Sequence, residues 1–560
     1  MISLERSTPA ARRRLMTRGL AALAALAFVI GLIVGATTLS GAQRTARSFT
    51  SAWERGDYPS MYSMLTPSAK KRVSEAAFRN AYTTAATTAT SVRVEAGKVH
   101  DDGDFGRVEM TERTRIFGVV RGNLRVPVVD DHVDWGPELV FPGLARGEAL
   151  TRRTVAPRRA RILSRDGRTI VSGPATARVV APGSPATSIA GQVEPPPSTA
   201  EQTALYARGF PIGTPVGTGG LERALEPQLA GRPGGDLFVG GRRVASSAPV
   251  PARSVRSSID LRVQAAAVQA LAGRFGGIAA LEPNTGRIRA LAGIAFSAPQ
   301  PPGSTFKIIT ATAALEHHIV KTSSEFPVET HAVIDGVNLQ NASGESCGGS
   351  FANSFAESCN SVFAPLGVKL GGKRLVAAAE KFGFNEPPSV PGEAMSTLPS
   401  AEEIGSPLAI GSSAIGQGKV LATPLEMAVV ADAIASNGVR HRPTLLERGG
   451  VTRGIRVTRR RTARTVEKLM EGVVRYGTGT AAAIPGVVVA GKTGTAELSS
   501  TVGPTGDEPP VETDAWFAAY APTRRPRIAV GALFVKAGAG GAVAAPAARL
   551  VLQAGLAAKR

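Results

Sequence analysis

The chain has 560 residues, 43% of them hydrophobic, 19% charged and 5% aromatic; that length exceeds a single hydrophobic core, and that composition excludes a wholly disordered polymer. Its formal charge is +21, from 65 Lys plus Arg against 44 Asp plus Glu, a balance that suits an anionic partner. Only 13 of the 65 are Lys, the Arg residues are dispersed rather than blocked, and no zinc-finger, homeodomain or RNA-binding signature accompanies them, so no nucleic-acid partner is expected.

Residues 19–42 (GLAALAALAFVIGLIVGATTLSGA) carry no charge, and about 20 residues rising ~1.5 Å each cross a hydrocarbon core of ~30 Å. Arg6, Arg12, Arg13, Arg14 and Arg18 precede them with only Glu5 opposing, which keeps that end cytoplasmic. The expectation is a cytoplasmic tail over 1–18, a single-pass signal-anchor over 19–42, and an extracytoplasmic remainder. A cleaved signal peptide is the alternative, because Thr38, Ser40 and Gly41 are small enough for a cleavage site. The only two cysteines, Cys347 and Cys359, then lie where disulfides persist; a disulfide between them is expected, with two buried thiols as the alternative. No His or carboxylate cluster with ligand spacing surrounds them, so neither metal nor organic cofactor is expected.

Over 43–150 the pattern is that of a small α+β domain. Residues 44–65 read as two short amphipathic helices: Phe49 and Trp53 lie four apart, Gly56 and Asp57 interrupt, and Met61, Met64 and Leu65 resume the face. From 91 to 141 alternation takes over, with turns expected at 101–104 and at Gly122-Asn123, as in a curved antiparallel sheet. The segments AWERGDYPSMYSML and WGPELVFPGL (135–144) resemble the nuclear-transport-factor-2-like pedestal of methicillin-resistance-type penicillin-binding proteins. That resemblance implies a domain that spaces a catalytic domain from the membrane. Residues 151–258, with Arg-rich turns, a Pro-rich stretch at 194–198 and several Gly pairs, read as an extended linker or dimerisation-like subdomain. Within it GLERALEPQLAGRPGG (220–235) resembles the linker of the same family.

From 259 to 560 helix and strand signals are clear. Asp260 opens an Ala/Val-rich helix, 276–293 form a hairpin turning at Asn284 to Gly286, and a helix follows Lys307 that His317 and His318 finish rather than serving as metal ligands. Thr423-Pro424-Leu425-Glu426 reads as a capping box, and Gly416-Gln417-Gly418 as either a tight turn or the floor of a site. Strands are expected at 487–497, 515–521 and 527–534, with Trp516, Phe517 and Tyr520 in the core, and an Ala-rich helix closes the chain. Strands at both ends of a helical middle imply an antiparallel sheet flanked by helices.

The chemistry starts at Pro301-Pro302-Gly303-Ser304-Thr305-Phe306-Lys307. Ser304 is expected in the first turn of the helix, with Lys307 at i+3 on the same face; a Ser hydroxyl is a poor nucleophile at neutral pH, and that Lys can take its proton if desolvation and nearby cations lower its pKa. A Ser-x-x-Lys alone proves little: Ser68 to Lys71 repeats it on a solvated helix face. But Ser358-Cys359-Asn360 is the only Ser-x-Asn, Lys492-Thr493-Gly494 the only Lys-Thr-Gly, and they follow Ser304 in the order of penicillin-recognising serine acyl-transferases. On a strand, Lys492 and Gly494 face one way and Thr493 and Thr495 the other, while Gly494 leaves room for a substrate backbone.

With their flanks (PPGSTFKIITATAALE, AESCNSVFAPLG, AIGQGKVLATPLEMA, GVVVAGKTGTAE) these stations resemble the class B, monofunctional penicillin-binding D,D-transpeptidases. The resemblance implies an α+β multidomain protein with a penicillin-binding transpeptidase domain over 259–560. It implies Ser304 as the acylated nucleophile, Lys307 as its base and Ser358 as the proton relay to the leaving amine. Asn360 would bond Lys307 and the substrate amide, Lys492 would hold the positive potential, Thr493 and Thr495 with Gly494 would bind the stem peptide, and the N–H groups of Ser304 and Thr495 would form the oxyanion hole. Implied partners are peptidoglycan stem peptides, β-lactam antibiotics as inhibitors and other cell-wall synthesis proteins. Hydrolysis of the same acyl-enzyme, by a D,D-carboxypeptidase or β-lactamase, and a catalytically silent wall-binding scaffold are the rival readings.

Overall fold

The computed structural model describes residues 39–450, 453–497 and 512–557. The expected tail, 1–18, and the expected anchor up to position 38 lie outside the described residues. From Gly41 the chain is already in a helix capped by Ser40. Two compact units follow: one takes residues up to 157 with 198–214 and 232–250, the other 158–197, 215–231 and everything from 251.

In the first unit, helices α1 (Gly41–Glu54), α2 (Tyr58–Ser63), α3 (Pro67–Arg72) and α4 (Glu75–Ala89) precede strands β1 (Ser91–Asp101), β2 (Phe105–Thr114) and β3 (Val119–Val129). Each helix begins where a short polar side chain takes an otherwise orphaned N–H: Ser40 in a reciprocal box with Gln43, then Asp57, Thr66 and Ser74. Phe49 and Trp53 of α1 and Phe78 and Tyr82 of α4 are buried. Trp135 completes the cluster, its ring 5.1 Å from that of Phe78 and its indole N–H donating to Tyr82 Oη at 3.2 Å.

The three strands pair antiparallel in chain order. No turn occurs at Gly122-Asn123; both residues lie inside β3, opposite Met110 and Glu109, and the chain turns at 115–118 with Gly118 at φ +75°. Gly122 answers to packing instead, since a Cβ there would sit 3.1 Å from Pro142 Cβ. Strands β4 (Leu150–Val155), β5 (Gly234–Val239) and β6 (Arg242–Ser247) form a second sheet with β5 in the middle. Their ladder hydrogen bonds are why 151–258, read as one linker, is shared between the units.

The part of 151–258 that stays in the second unit is held by a buried ion cluster. Arg159 reaches Glu222 at 2.6 Å and Glu226 at 2.7 Å, and Arg178 reaches Glu222 at 2.6 Å; each charge is matched, as burial demands.

The larger part of this unit is built on helix α5 (Leu261–Leu271), strands β7 (Gly276–Glu282) and β8 (Arg287–Gly293), helix α6 (Lys307–Glu316), and short strands β9 (Glu325–Glu329), β10 (His331–Ile334), β11 (Val337–Gln340) and β12 (Cys347–Ser350). Helices α7 (Phe351–Ala356), α8 (Asn360–Leu370), α9 (Pro424–Ala435) and α10 (Arg460–Arg475) follow, then strands β13 (Ala490–Glu497), β14 (Thr513–Ala521) and β15 (Ile528–Phe534) and helix α11 (Gly540–Ala557). The five long strands make one antiparallel sheet in the order β8-β7-β15-β14-β13. The α+β expectation for this part therefore holds, and β13 stands at the sheet's edge. Its ladder begins at Ala490 rather than at 487. Trp516, Phe517 and Tyr520 are fully buried on β14.

Every residue of α9 is buried, whereas α5 and α11 cover the sheet with Val263, Ala267, Ala544, Ala548, Val551 and Leu552 in one apolar cluster. Helix α11 is long and apolar enough to cross a membrane, yet that buried face makes it a core helix. Only half of the expected capping box at α9 forms: Thr423 Oγ1 accepts from Glu426 N at 3.1 Å, but the Glu426 side chain turns inward toward Arg440 and Gly383 instead of back to the cap.

That burial raises the Glu426 carboxyl to about 8, with Arg440 pulling it down and Glu393 and Glu386 pushing it up. A carboxyl whose folded value lies above its unfolded value near 4.5 binds its proton more tightly in the native state. Its contribution to stability is complete below pH 4.5 and is lost as pH rises through about 8. Glu426→Gln is therefore expected to flatten the fall in unfolding temperature across that window, as read by thermal unfolding at a series of pH values.

Candidate active site

The turn that carries Ser304 is a 3-10 segment, Gly303–Phe306, and α6 begins only at Lys307. Ser304 thus sits one turn ahead of the α-helix, half-buried, while Lys307 is wholly buried. Every residue of α6 from Lys307 to Ala314 is buried, so the helix is enclosed on all its faces and takes the amine into the interior with it.

Helices α7 and α8 are separated by three residues, Glu357 to Cys359, and Ser358 takes the left-handed conformation at φ +66°, a cost of about 1–3 kcal/mol for a residue with a Cβ. The twist aims Ser358 inward. Lys307 Nζ donates to Ser358 O at 2.6 Å and to Asn360 Oδ1 at 2.6 Å, with Ser358 Oγ at 3.4 Å. From the sheet edge Lys492 Nζ donates to Ser358 Oγ at 2.8 Å and to Thr493 O at 3.1 Å. One hydroxyl therefore lies between two amines that the sequence separates by 185 positions. Ser304 Oγ takes no hydrogen bond among the described residues.

Burial pushes the Lys307 amine well below the usual lysine range, and the nearby Lys492 charge pushes it further. Lys492 falls to about 7, chiefly through burial, with Glu357 acting in the opposite sense. Aromatic walls keep water out: Lys307 Nζ lies 5.4 Å from the Phe363 ring centre and Lys492 Nζ 5.6 Å from that of Phe355. A neutral amine has two N–H groups and one lone pair. With Ser358 O and Asn360 Oδ1 taking both N–H groups, the lone pair of Lys307 remains for an incoming proton.

Two close backbone approaches set the rest. A Cβ on Gly303, which has φ +52°, would lie 2.8 Å from Thr495 O, and one on Gly494 would lie 2.7 Å from Pro302 O. The Ser304 turn thus lies directly against the Thr495 segment of β13. Gly416 packs beneath the same turn, its carbonyl accepting from Gly303 N at 2.9 Å. Thr493 Oγ1 is 2.6 Å from Thr478 Oγ1, and Thr495 Oγ1 accepts from Gly540 N at 3.4 Å. Thr493 is buried and Thr495 half-buried.

Lys307, Ser358, Asn360 and Lys492 are joined by hydrogen bonds and the Ser304 turn meets the Thr495 segment through its backbone, while the Ser304 hydroxyl bonds to none of them; Cys347 and Cys359 form a disulfide with Cα atoms 5.4 Å apart. The Ser68 decoy is in α3, where its hydroxyl meets Thr66 Oγ1 at 3.0 Å. His317 caps the end of α6. Sequence reasoning missed Gln340, whose carbonyl accepts from Asn360 Nδ2 at 2.7 Å, Thr478, and the two phenylalanines. Only Phe355 and Phe363, at three before and five after Ser358, left a local signal.

Residues 276–553 match the penicillin binding protein transpeptidase domain, and residues 41–115 match the NTF2-like N-terminal transpeptidase domain. The chain is 32% identical over 429 residues to the peptidoglycan D,D-transpeptidase PbpA of Mycolicibacterium smegmatis, covering 64% of this chain and 83% of that protein. It is similar in structure to the D,D-transpeptidase domain of the peptidoglycan glycosyltransferase from Eggerthella lenta, with 28% identity and a TM-score of 0.58 over 72% of this chain and 99% of that one. The penicillin G acyl-enzyme complex of penicillin-binding protein A from M. tuberculosis gives 27% identity and a TM-score of 0.56 over 71% and 100%.

The neutrality of the Lys307 amine is testable by an isosteric change. Asn360→Asp places a carboxylate on the amine, which favours its protonated form and works against the lowering that burial and Lys492 cause. The rate at which a penicillin acylates the chain is expected to fall about a hundredfold or more, with the acidic limb of its pH profile moved to higher pH.

Proposed function

Because the chain belongs to the penicillin-binding protein transpeptidase family and is a peptidoglycan D,D-transpeptidase, we propose that Ser304 is its acylated nucleophile and Lys307 the base that activates it. The observation that carries this reading is the buried Lys307 amine with both N–H groups engaged and Lys492 beside it. Ser304 Oγ attacks the penultimate D-alanine carbonyl of one stem peptide as its proton passes to Lys307 Nζ. The tetrahedral oxyanion lies on the backbone N–H groups of Ser304 and Thr495. Ser358, held by Lys492, gives its hydroxyl proton to the departing D-alanine nitrogen and recovers one from Lys307. An amine of a neighbouring strand then attacks the acyl-enzyme, and the same groups run in reverse to regenerate Ser304.

Asn360 keeps one amide N–H for the substrate, since the other is committed to Gln340 O. The unpaired edge of β13 suits a stem peptide laid down as an added strand. Thr495 retains its hydroxyl proton for the terminal carboxylate, because it accepts from Gly540 N, whereas Thr493 exchanges its bond to Thr478. Acceptance of this part of the reading carries the rest of the organisation with it: anchoring through 19–42, an extracytoplasmic catalytic domain, and the first unit as its spacer. The charge pattern around 19–42 and the bonded cysteines support that topology.

Mass spectrometry of the full-length chain after penicillin exposure is expected to find one adduct, on the peptide containing Ser304 and not on that containing Ser68. Ser304→Ala abolishes it. An adduct elsewhere, or persistence in that variant, overturns the assignment. With a pentapeptide donor and an acceptor amine, cross-linked dimers are the expected product; release of D-alanine without dimers would make the enzyme a carboxypeptidase.

A further inference from the structure

We propose that Cys347 and Cys359 are positioning residues for acylation: their disulfide holds the peptide between Ser358 and Asn360 so that the oxygens of both stay on the Lys307 amine, and the chain reacts at full rate only when oxidised. The inference rests on Ser304 and Lys307 acting as assigned above.

Cys359 is the middle residue of the motif itself, fully buried at the start of α8. The two acceptors of Lys307 lie one residue to either side, so displacement of Cys359 moves both. Ser358 is in the left-handed conformation and needs its neighbours to keep it there. On the other side of the bond, Cys347 opens β12, paired opposite Glu329 of β9. The same segment grips α8 by polar bonds: Ser361 Oγ donates to Cys347 O at 3.2 Å, Ser361 N to Asn341 Oδ1 at 2.9 Å and Asn360 Nδ2 to Gln340 O at 2.7 Å. Those bonds reach Asn360 and Ser361; the disulfide is the tie that this segment makes to the Cys359 side chain.

The cross-link closes a separation of only 12 residues, enclosing β12, α7 and the Glu357-Ser358 turn. A bond between segments distant in sequence would add somewhat more stability through loop closure. Here the constraint falls on the motif. The charged groups that face Lys307 are Lys492 from β13 and, through Lys492, Glu357 from the α7–α8 turn, and neither is altered by reduction. Opening the bond loosens Ser358 O and Asn360 Oδ1 and admits water, and the amine returns toward its ordinary protonated state.

The chain has no other cysteine, so dithiothreitol acts on this bond alone: two electrons and two protons pass to the disulfide, which opens to two thiols while the reagent closes to its cyclic disulfide. With a fluorescent penicillin and the full-length chain, reduction is expected to slow acylation at neutral pH about tenfold or more. The acidic limb of the rate profile should move up by about one pH unit, and oxidised glutathione should restore both. The Cys347→Ala/Cys359→Ala variant, which needs no access of reductant to a buried bond, should behave as the reduced chain while still unfolding cooperatively. Unchanged rate and limb in both forms overturns the inference. So does a loss of active fraction with an unmoved limb, the signature of a merely structural bond. If the oxidised chain is not acylated at all, it is the Ser304 assignment that fails, and this inference with it.

Discussion

Two lysine amines are buried together, and among the described residues Glu357 is the one acid that bears on either of them; the rest of the site is organised around that constraint. An ammonium taken from water needs a partner or must shed its proton. The acceptors of Lys307 among the described residues are neutral, so burial and the adjacent Lys492 charge favour release of its proton, the property the proposed base requires. An ion pair in the same place would have stabilised the ammonium and left Ser304 without anything to take its proton. The aromatic faces of Phe355 and Phe363 contribute to the same end, since they exclude water while tolerating positive charge.

Holding that arrangement requires three pieces of chain to converge at distances that leave no slack. Helix α6 delivers Lys307, the short break between α7 and α8 delivers Ser358 and Asn360, and the edge of the sheet delivers Lys492. The edge strand is the element with free backbone on one side, so the position that closes the site is also the position where an extended substrate can bind. Glycine is required at 303 and 494 because the Ser304 turn and β13 touch through their backbones, and a methyl group at either position would push the two segments apart.

Much of this was legible before any coordinates. Short-range signals held: the Asn284 to Gly286 turn of the β7–β8 hairpin, with Asn284 and Gly286 both at positive φ, the start of α5 at Asp260, and the run of strands and helices in the second unit. Failures came where long-range packing overrode a local pattern. Gly122-Asn123 has the residues of a tight turn but is paired along its length, because Pro142 lies against the strand there. Glu426 has the spacing of a capping box but turns inward. Residues 151–258 look like one linker, yet the strand bonds from 150–155 to 234–239 divide it.

The amino-acid order by itself determined which residues could do the chemistry. Ser304 with Lys307, Ser358 with Asn360, and Lys492 with Thr493 each lie within four positions, and such spacings are set by helix and strand geometry alone. It also determined that a sheet would close late, from strands at both ends of one domain. Only the tertiary structure decided that Ser358 stands between the two amines, that Gln340 and Thr478 lie beside them, and that burial and the Lys492 charge lower the pKa of Lys307. Those outcomes depend on distances and on water exclusion between segments up to 185 residues apart, and neither quantity is encoded in local spacing.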